Sequence, residues 1–257
     1  MGTLYDRADI YDLLETPARS AITRAHWEAL LKGREIRSFL DVSIGTGGLT
    51  LPLAELGVQV SGSDLSEVML DRCREKSKKQ GPSLILQQAD FRNVSEAFPG
   101  AQFDCVGSTG NSLPYVGNRE IPGVLAQMDR LIRPGGWLYV GLRNWDRIVQ
   151  EHQRFYFYHP TLLSDCEMHL IQVWDDHSDG SMDFNLIYTF TQEDKLLQKE
   201  VFTEHYYPLP RALLLDTLRA MGYTMPSLYC MPAQFGIPAE NAEWYCILAQ
   251  KPAAAIM

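Results

Sequence analysis

The stretch DVSIGTGGLT, residues 41–50, sets two glycines, Gly45 and Gly47, behind an acid, Asp41. Glycines there let a backbone come close to a ligand. Read as GxGxxG, the loop has Thr50 where the third glycine belongs, which makes a weak match to a dinucleotide site. Read as acid-x-small-x-Gly-x-Gly, it fits Asp41, Ser43, Gly45 and Gly47. The leading acid orders the loop and repels a diphosphate, so a ligand with a cationic or zwitterionic tail suits it better. About 20 residues past the glycines, Asp64 and Leu65 follow an apolar run, and an acid there suits both hydroxyls of an unphosphorylated ribose. Ser66 is the better N-cap for the next helix, which leaves Asp64 free. Replacing Asp64 should then cost ligand affinity and barely move the stability of the ligand-free chain. In QQADFRN, Asp90 and Phe91 could take an adenine by its exocyclic amine and its face, with a core role for Phe91 as the alternative. Arg143, in LRNWD, brings a planar guanidinium that pairs with a carboxylate in two directions at once; a salt bridge to Asp146 or another acid is its competing role.

These residues need a scaffold that gathers them. Runs at 36–42, 58–64, 83–88, 103–108 and 137–142 read as strands, and 47–56, 66–79 and 119–133 read as helices between them. That alternation predicts an α/β fold, a doubly wound, mostly parallel sheet with helices on both faces. Arg133-Pro134-Gly135-Gly136 reads as a helix stop and a turn into the fifth strand. After residue 146 the pattern alternates by twos around Asp179-Gly180, the mark of antiparallel hairpins. Helix returns after Pro210 and ends before Gly222, and EWYCILAQ gives a last strand. The chain thus divides into an N-terminal helical cap (1–33), a core (34–145 and 209–251) and an antiparallel insertion forming a lid (146–208).

Composition bounds the partners. With 257 residues, 46% hydrophobic and 21% charged, the chain can bury a sizeable core as one domain. A net charge of -9 argues against nucleic acid, whose binders gain affinity from Lys and Arg on phosphates. No run approaches the roughly 20 apolar residues of a membrane span. Five dispersed cysteines without a CxxC pair read as reduced thiols in a cytoplasmic protein. Six histidines form no HExxH and no tight cluster with Cys or carboxylates, so no metal is expected. Neither a GxSxG elbow nor a Walker loop is present. A homo-oligomer stays open, and a small-molecule substrate is the partner expected.

Together the glycine loop, the ribose acid, the adenine acid and the proline-glycine-glycine turn resemble the class I S-adenosylmethionine-dependent methyltransferases, over about residues 36–142. The resemblance implies S-adenosylmethionine held by Asp41, Ser43, Gly45, Gly47, Asp64, Leu65, Asp90, Phe91 and Thr109. Ser43 departs from the family's usual glycine. STGNSLPY (108–115), LRNWD (142–146) and EHYYPLP (204–210) look like segments of the glycine N-methyltransferase family. That likeness puts Arg143 on the substrate carboxylate, Asn111 against substrate and methyl donor, and Tyr115, Tyr188 and Tyr206 in the acceptor pocket. A turn role for Asn111 and packing for Tyr188 are the alternatives. Trp145, Tyr115 and Asp90-Phe91 depart from that family's tyrosine, histidine and Asn-Trp. They leave the amine open among glycine, sarcosine and other small amino acids. No residue is assigned as a general base. A phenolic or other small acceptor is the next reading. An oxidoreductase on the same fold would need the third glycine and a Tyr-x-x-x-Lys pair, and neither is present. A regulatory protein that binds the cofactor without turnover is a third possibility.

Overall fold

The computed structural model describes residues 3–78, 84–231 and 238–253. A short turn at Leu4–Asp6 leads into α1 (Ala8–Tyr11), and α2 (Pro17–Leu31) follows. Thr16 starts α2 because its side chain accepts the Arg19 N–H at 3.2 Å and Pro17 takes the first helical position. Five strands then pair in parallel: β1 (Ser38–Asp41), β2 (Gln59–Asp64), β3 (Ile85–Gln88), β4 (Phe103–Ser108) and β5 (Ile132–Arg143). Between them lie α3 (Pro52–Glu55), α4 (Glu67–Ser77) and α5 (Ile121–Arg130).

After α6 (Trp145–Glu151), a second, antiparallel sheet is built from β6 (Phe155–Phe157), β7 (Thr161–Leu162), β8 (Glu167–Asp176), β9 (Met182–Gln192) and β10 (Lys195–Tyr206). The hairpin between β8 and β9 turns at Gly180, with φ +85°, as its Asp-Gly pair implies. The chain returns through α7 (Arg211–Ala220), β11 (Thr224–Cys230) and β12 (Trp244–Gln250). The large sheet runs β11-β12-β5-β4-β1-β2-β3, with β12 antiparallel to β5. Strand order reverses between β1 and β4, which opens a crevice at their carboxyl ends.

Both faces of the sheet are buried, and the pleat decides which residue goes where. Leu40, Val106, Val140 and Ile247 join one core cluster, while their neighbours Phe39, Cys105, Tyr139 and Leu248 join the other. A third cluster docks the first residues onto the antiparallel sheet through Leu4, Ile10, Leu170, Leu186 and Phe202.

Some elements differ from the pattern expected. The helix expected at 47–56 is reduced to α3, because Gly45 (φ +54°) and Gly47 (φ +86°) take left-handed conformations that end any helix. The Arg133–Gly136 turn lies within β5 rather than ahead of it, and α5 has already ended at Arg130. A Cβ on Gly136 would come 2.9 Å from the carbonyl oxygen of Asp104, so glycine lets the bent strand approach β4. Neither α6 nor β11 was expected; β11 is an edge strand that contains Pro226, which hides its strand signal.

Buried His26 on α2 gives this packing a pH dependence. Burial pulls its pKa down to about 4, and its Nε2 lies 3.4 Å from the Tyr139 hydroxyl. The unfolded chain therefore binds this proton first, near pH 6.5, so His26 costs stability as pH falls from there toward 4. Wild type should lose up to roughly 1.4 kcal/mol per pH unit in that window relative to His26→Phe. Denaturant titrations of both proteins at pH 7 and 5 test this, and parallel losses would remove His26 as the cause.

Candidate active site

A cavity of about 1650 Å³ opens at the carboxyl ends of β1, β2 and β4, between the large sheet, the N-terminal segment and the antiparallel sheet. A pocket for one small molecule holds roughly 300–1,000 Å³, so this one has room for two ligands side by side. Every residue that the resemblance assigns to cofactor or acceptor lines it except Asp41.

Asp41 is fully buried beneath the floor. Its Oδ1 accepts Ser43 N–H at 3.1 Å, and its Oδ2 accepts the Thr109 hydroxyl at 2.7 Å and the Thr50 hydroxyl. The acid thus ties the loops after β1 and β4 together instead of meeting a ligand. Burial pushes its carboxyl up, against those hydrogen bonds. Ser43 faces the cavity and adds to the same seam, with its hydroxyl 3.0 Å from Ser108 Oγ. Gly47 is required on two counts: its φ is +86°, and a Cβ there would lie 2.7 Å from Leu51.

Asp64 ends β2 facing the cavity. It is less free than the sequence implied: Gly45 N–H donates to its Oδ2 at 2.8 Å and Ser66 N–H to its Oδ1 at 3.0 Å. Ser66 does cap α4, accepting from Met69 N–H. A carboxylate has about four acceptor positions, so Asp64 keeps one open beside these two bonds and the approach of Leu65 N–H. Burial raises its carboxyl, against the bonds from Ser66 and Gly45. Leu65 beside it is 67% exposed and forms rim. Asp90 caps the turn that follows and is paired with Arg92 at 2.6 Å, which holds its carboxyl below the usual range. Phe91 both lines the cavity and packs against the core, so its two readings coexist.

At the far end, Asn111 follows Gly110 with φ +68°. Its Oδ1 accepts Arg143 N–H at 3.1 Å and the Trp145 indole N–H at 2.9 Å, so its turn role is real and also fixes the amide in the wall. The Arg143 side chain is only 10% exposed and sits over the rings of Trp244 and Trp174 at 4.5 and 5.2 Å. Its acid partner is Glu243 at 3.4 Å, an exposed side chain, while Asp146 faces Arg211 instead. Tyr206 is packed among Tyr115, Trp145 and Phe184. Tyr188 is 1% exposed and sits in the third core cluster while lining the cavity.

Sequence reasoning missed the N-terminal contribution. Tyr5, Tyr11 and Arg19 line the cavity, as do Tyr158 and Glu204 of the insertion. Only tertiary packing brings them there, and no local motif marks them. Arg19 makes no ion pair among the described residues, and its charge favours the ionised forms of Tyr11 and Tyr188 against the burial that raises both. The histidines also hold a surprise. His177, Asp183 and His205 do cluster, with His177 Nε2 and His205 Nδ1 at 3.0 and 2.7 Å from the carboxylate of Asp183. His205 and Asp183 face each other across β9 and β10, a proximity that sequence spacing conceals.

Residues 39–136 match the family model described as a methyltransferase domain. The chain is 30% identical to the putative methyltransferase YqeM of Bacillus subtilis (strain 168), over 70% of this chain and 69% of that protein. It is 32% identical to a glycine/sarcosine N-methyltransferase of Parasynechococcus marenigrum (strain WH8102), over 56% of this chain and 52% of that protein. The match thus spans about half the length of that relative. In fold it is similar to an S-adenosylmethionine-dependent methyltransferase from Clostridium acetobutylicum ATCC 824, with TM-score 0.75, 14% identity, and 96% and 98% of the two chains covered. Family match, relatives and fold agree: the chain belongs to the class I S-adenosylmethionine-dependent methyltransferases, with S-adenosylmethionine as methyl donor.

Proposed function

We propose that this enzyme methylates the amine nitrogen of a small amino acid, with glycine and sarcosine as the leading acceptors. The observation that carries the reading is Arg143: a guanidinium in the cavity wall, held by aromatic rings, whose acid partner is exposed and long at 3.4 Å. A substrate carboxylate offers it a better bidentate partner than Glu243 does. The test is a panel of glycine and sarcosine against their amides with labelled S-adenosylmethionine. Free acids should be strongly preferred.

The residues present fit the methyl donor. Gly45 and Gly47 leave those two loop positions without side chains, Asp64 keeps an acceptor position for the ribose hydroxyls, and Phe91 lines the cavity where the adenine would lie, beside an Asp90 already paired with Arg92. Arg19, a cation lining the cavity without an ion pair among the described residues, would hold the donor's carboxylate. When bound, the cofactor supplies a sulfonium that makes its methyl carbon electrophilic. The protein's share is alignment and exclusion of water. Holding two reactants near attack is worth roughly 7–11 kcal/mol. Arg143 and Asn111 orient the acceptor, and the antiparallel sheet over the cavity acts as a lid that carries Tyr188 and Tyr206.

Asp64→Ala should weaken S-adenosylmethionine binding roughly tenfold to a hundredfold, from a lost charge-assisted hydrogen bond of about 1.5–3 kcal/mol. Because Asp64 also accepts from Gly45 and Ser66, the ligand-free protein should lose about 1 kcal/mol or more as well. Calorimetry and denaturation measure the two effects. Unchanged affinity, or tight binding of NAD, would sink the ribose assignment.

A further inference from the structure

Glu204 on β10 is a buried carboxylate that the mechanism above does not use. It is 5% exposed and lines the cavity at the tyrosine end. Leu4 N–H donates to its Oε1 at 3.0 Å and the Tyr115 hydroxyl to its Oε2 at 3.2 Å. Arg7, on the neighbouring turn, pairs with Asp9 and Glu200 instead. Burying a carboxylate without a cation is costly, and this one faces a space large enough for a ligand.

The hydroxyls around it have a direction. Tyr115 Oη lies 2.6 Å from both Tyr5 Oη and Tyr206 Oη. A phenol carries one proton and accepts through its lone pairs. With Tyr115's proton committed to Glu204, Tyr5 and Tyr206 must donate to Tyr115. Each of these bonds then points toward the carboxylate, and a proton received at Tyr206 or Tyr5 can pass through Tyr115 to Glu204.

From this geometry we propose that Glu204, through the Tyr5–Tyr115–Tyr206 cluster, recognises the acceptor's ammonium group and takes its proton before methyl transfer. The proposal rests on the amine reading above and gives the amino acid both of its contacts: carboxylate on Arg143, ammonium on the tyrosine cluster. The ammonium gives one proton to the carboxylate of Glu204 and becomes a neutral amine. The amine lone pair then forms the N–C bond as the C–S bond breaks, and that electron pair stays on sulfur. The product leaves as a methylammonium, and Glu204 returns its proton to solvent. Among the described residues, the charged and titratable groups facing Glu204 are Tyr5 and Asp6 of the first turn, Tyr115 after β4, Tyr188 on β9 and Tyr206 on its own strand. Arg143 acts on Tyr206. Burial lifts the Glu204 carboxyl, against the bonds from Leu4 and Tyr115, which narrows the gap to an amine.

The experiment is Glu204→Gln, which keeps an oxygen for the Leu4 N–H, with Tyr115→Phe as a second variant that leaves Glu204 in place. At pH 7, Glu204→Gln should lower kcat/KM by roughly 100-fold or more. The deficit should shrink as pH rises toward the acceptor's own amine pKa, because solution then supplies the free amine. Tyr115→Phe should shift the profile the same way by a smaller factor. Calorimetry should find acceptor binding weakened in Glu204→Gln and S-adenosylmethionine binding within about twofold of wild type. A deficit of the same size at every pH, or none, overturns the role of Glu204 while wild-type amine methylation stands. If wild type methylates no amine at any pH, the reading beneath it fails instead.

Discussion

Arg143→Ala should lower kcat/KM for glycine or sarcosine by roughly 30-fold to several thousand-fold, the 2–5 kcal/mol of an unpaired buried charge, and erase the preference for free acid over amide. S-adenosylmethionine binding should stay within about twofold. The size of the effect follows from where the side chain sits. Its Nη2 reaches the Tyr158 hydroxyl at 3.3 Å, and the rings of Trp244, Trp174 and Phe184 surround it. Those rings fix the guanidinium plane, so little order is lost when a carboxylate arrives. Arg143→Lys keeps the charge but loses both the fork and the stacking, and it should still cost at least about tenfold. Equal wild-type activity on acid and amide would turn Arg143 into a structural residue. Arg143→Ala would then show its main effect in denaturation, as packing lost from those rings.

The parallel sheet and the loop after β1 were legible because their signals are local. Apolar runs of strand length alternate with amphipathic stretches, and Gly45 and Gly47 announce their own backbone geometry. The roof of the cavity was not. Tyr5 reaches Tyr115 across 110 residues, and Leu4 meets Glu204 across 200. Such contacts depend on how a helical segment docks on a sheet, and no spacing rule encodes that. Burial also misleads in the other direction. Tyr188 alternates correctly to face inward, yet inward on β9 means a packed cluster as well as the cavity. Asp41 shows the same limit at the loop itself. Its place in the pattern suggested contact with the ligand, and only its five hydrogen-bonded approaches from Ser43, Thr50 and Thr109 reveal a residue one layer below.

That layer makes Asp41 the most sensitive position for the architecture of the site. Asp41→Ala should destabilise the ligand-free protein by at least about 3 kcal/mol, because buried donors left without an acceptor cost roughly 1–3 kcal/mol each. Ser43 Oγ keeps other partners in Ser108 and the Thr109 carbonyl, so the orphans are the hydroxyls of Thr50 and Thr109 and the backbone N–H groups of Ser43 and Thr109. Cofactor affinity should fall by a hundredfold or so through displacement of Ser43 and Thr109, which do line the cavity. Asp41→Asn separates charge from hydrogen bonding. It keeps one acceptor oxygen but turns a donating NH2 toward its neighbours, which the two threonine hydroxyls can meet by rotating, whereas backbone N–H groups cannot. With the oxygen toward Ser43 N–H, the asparagine variant should recover about half of the lost stability. A loss below about 1 kcal/mol for Asp41→Ala would mean the two loops hold their positions without the acid, and the seam would then rest on the backbone pairing of β1 with β4.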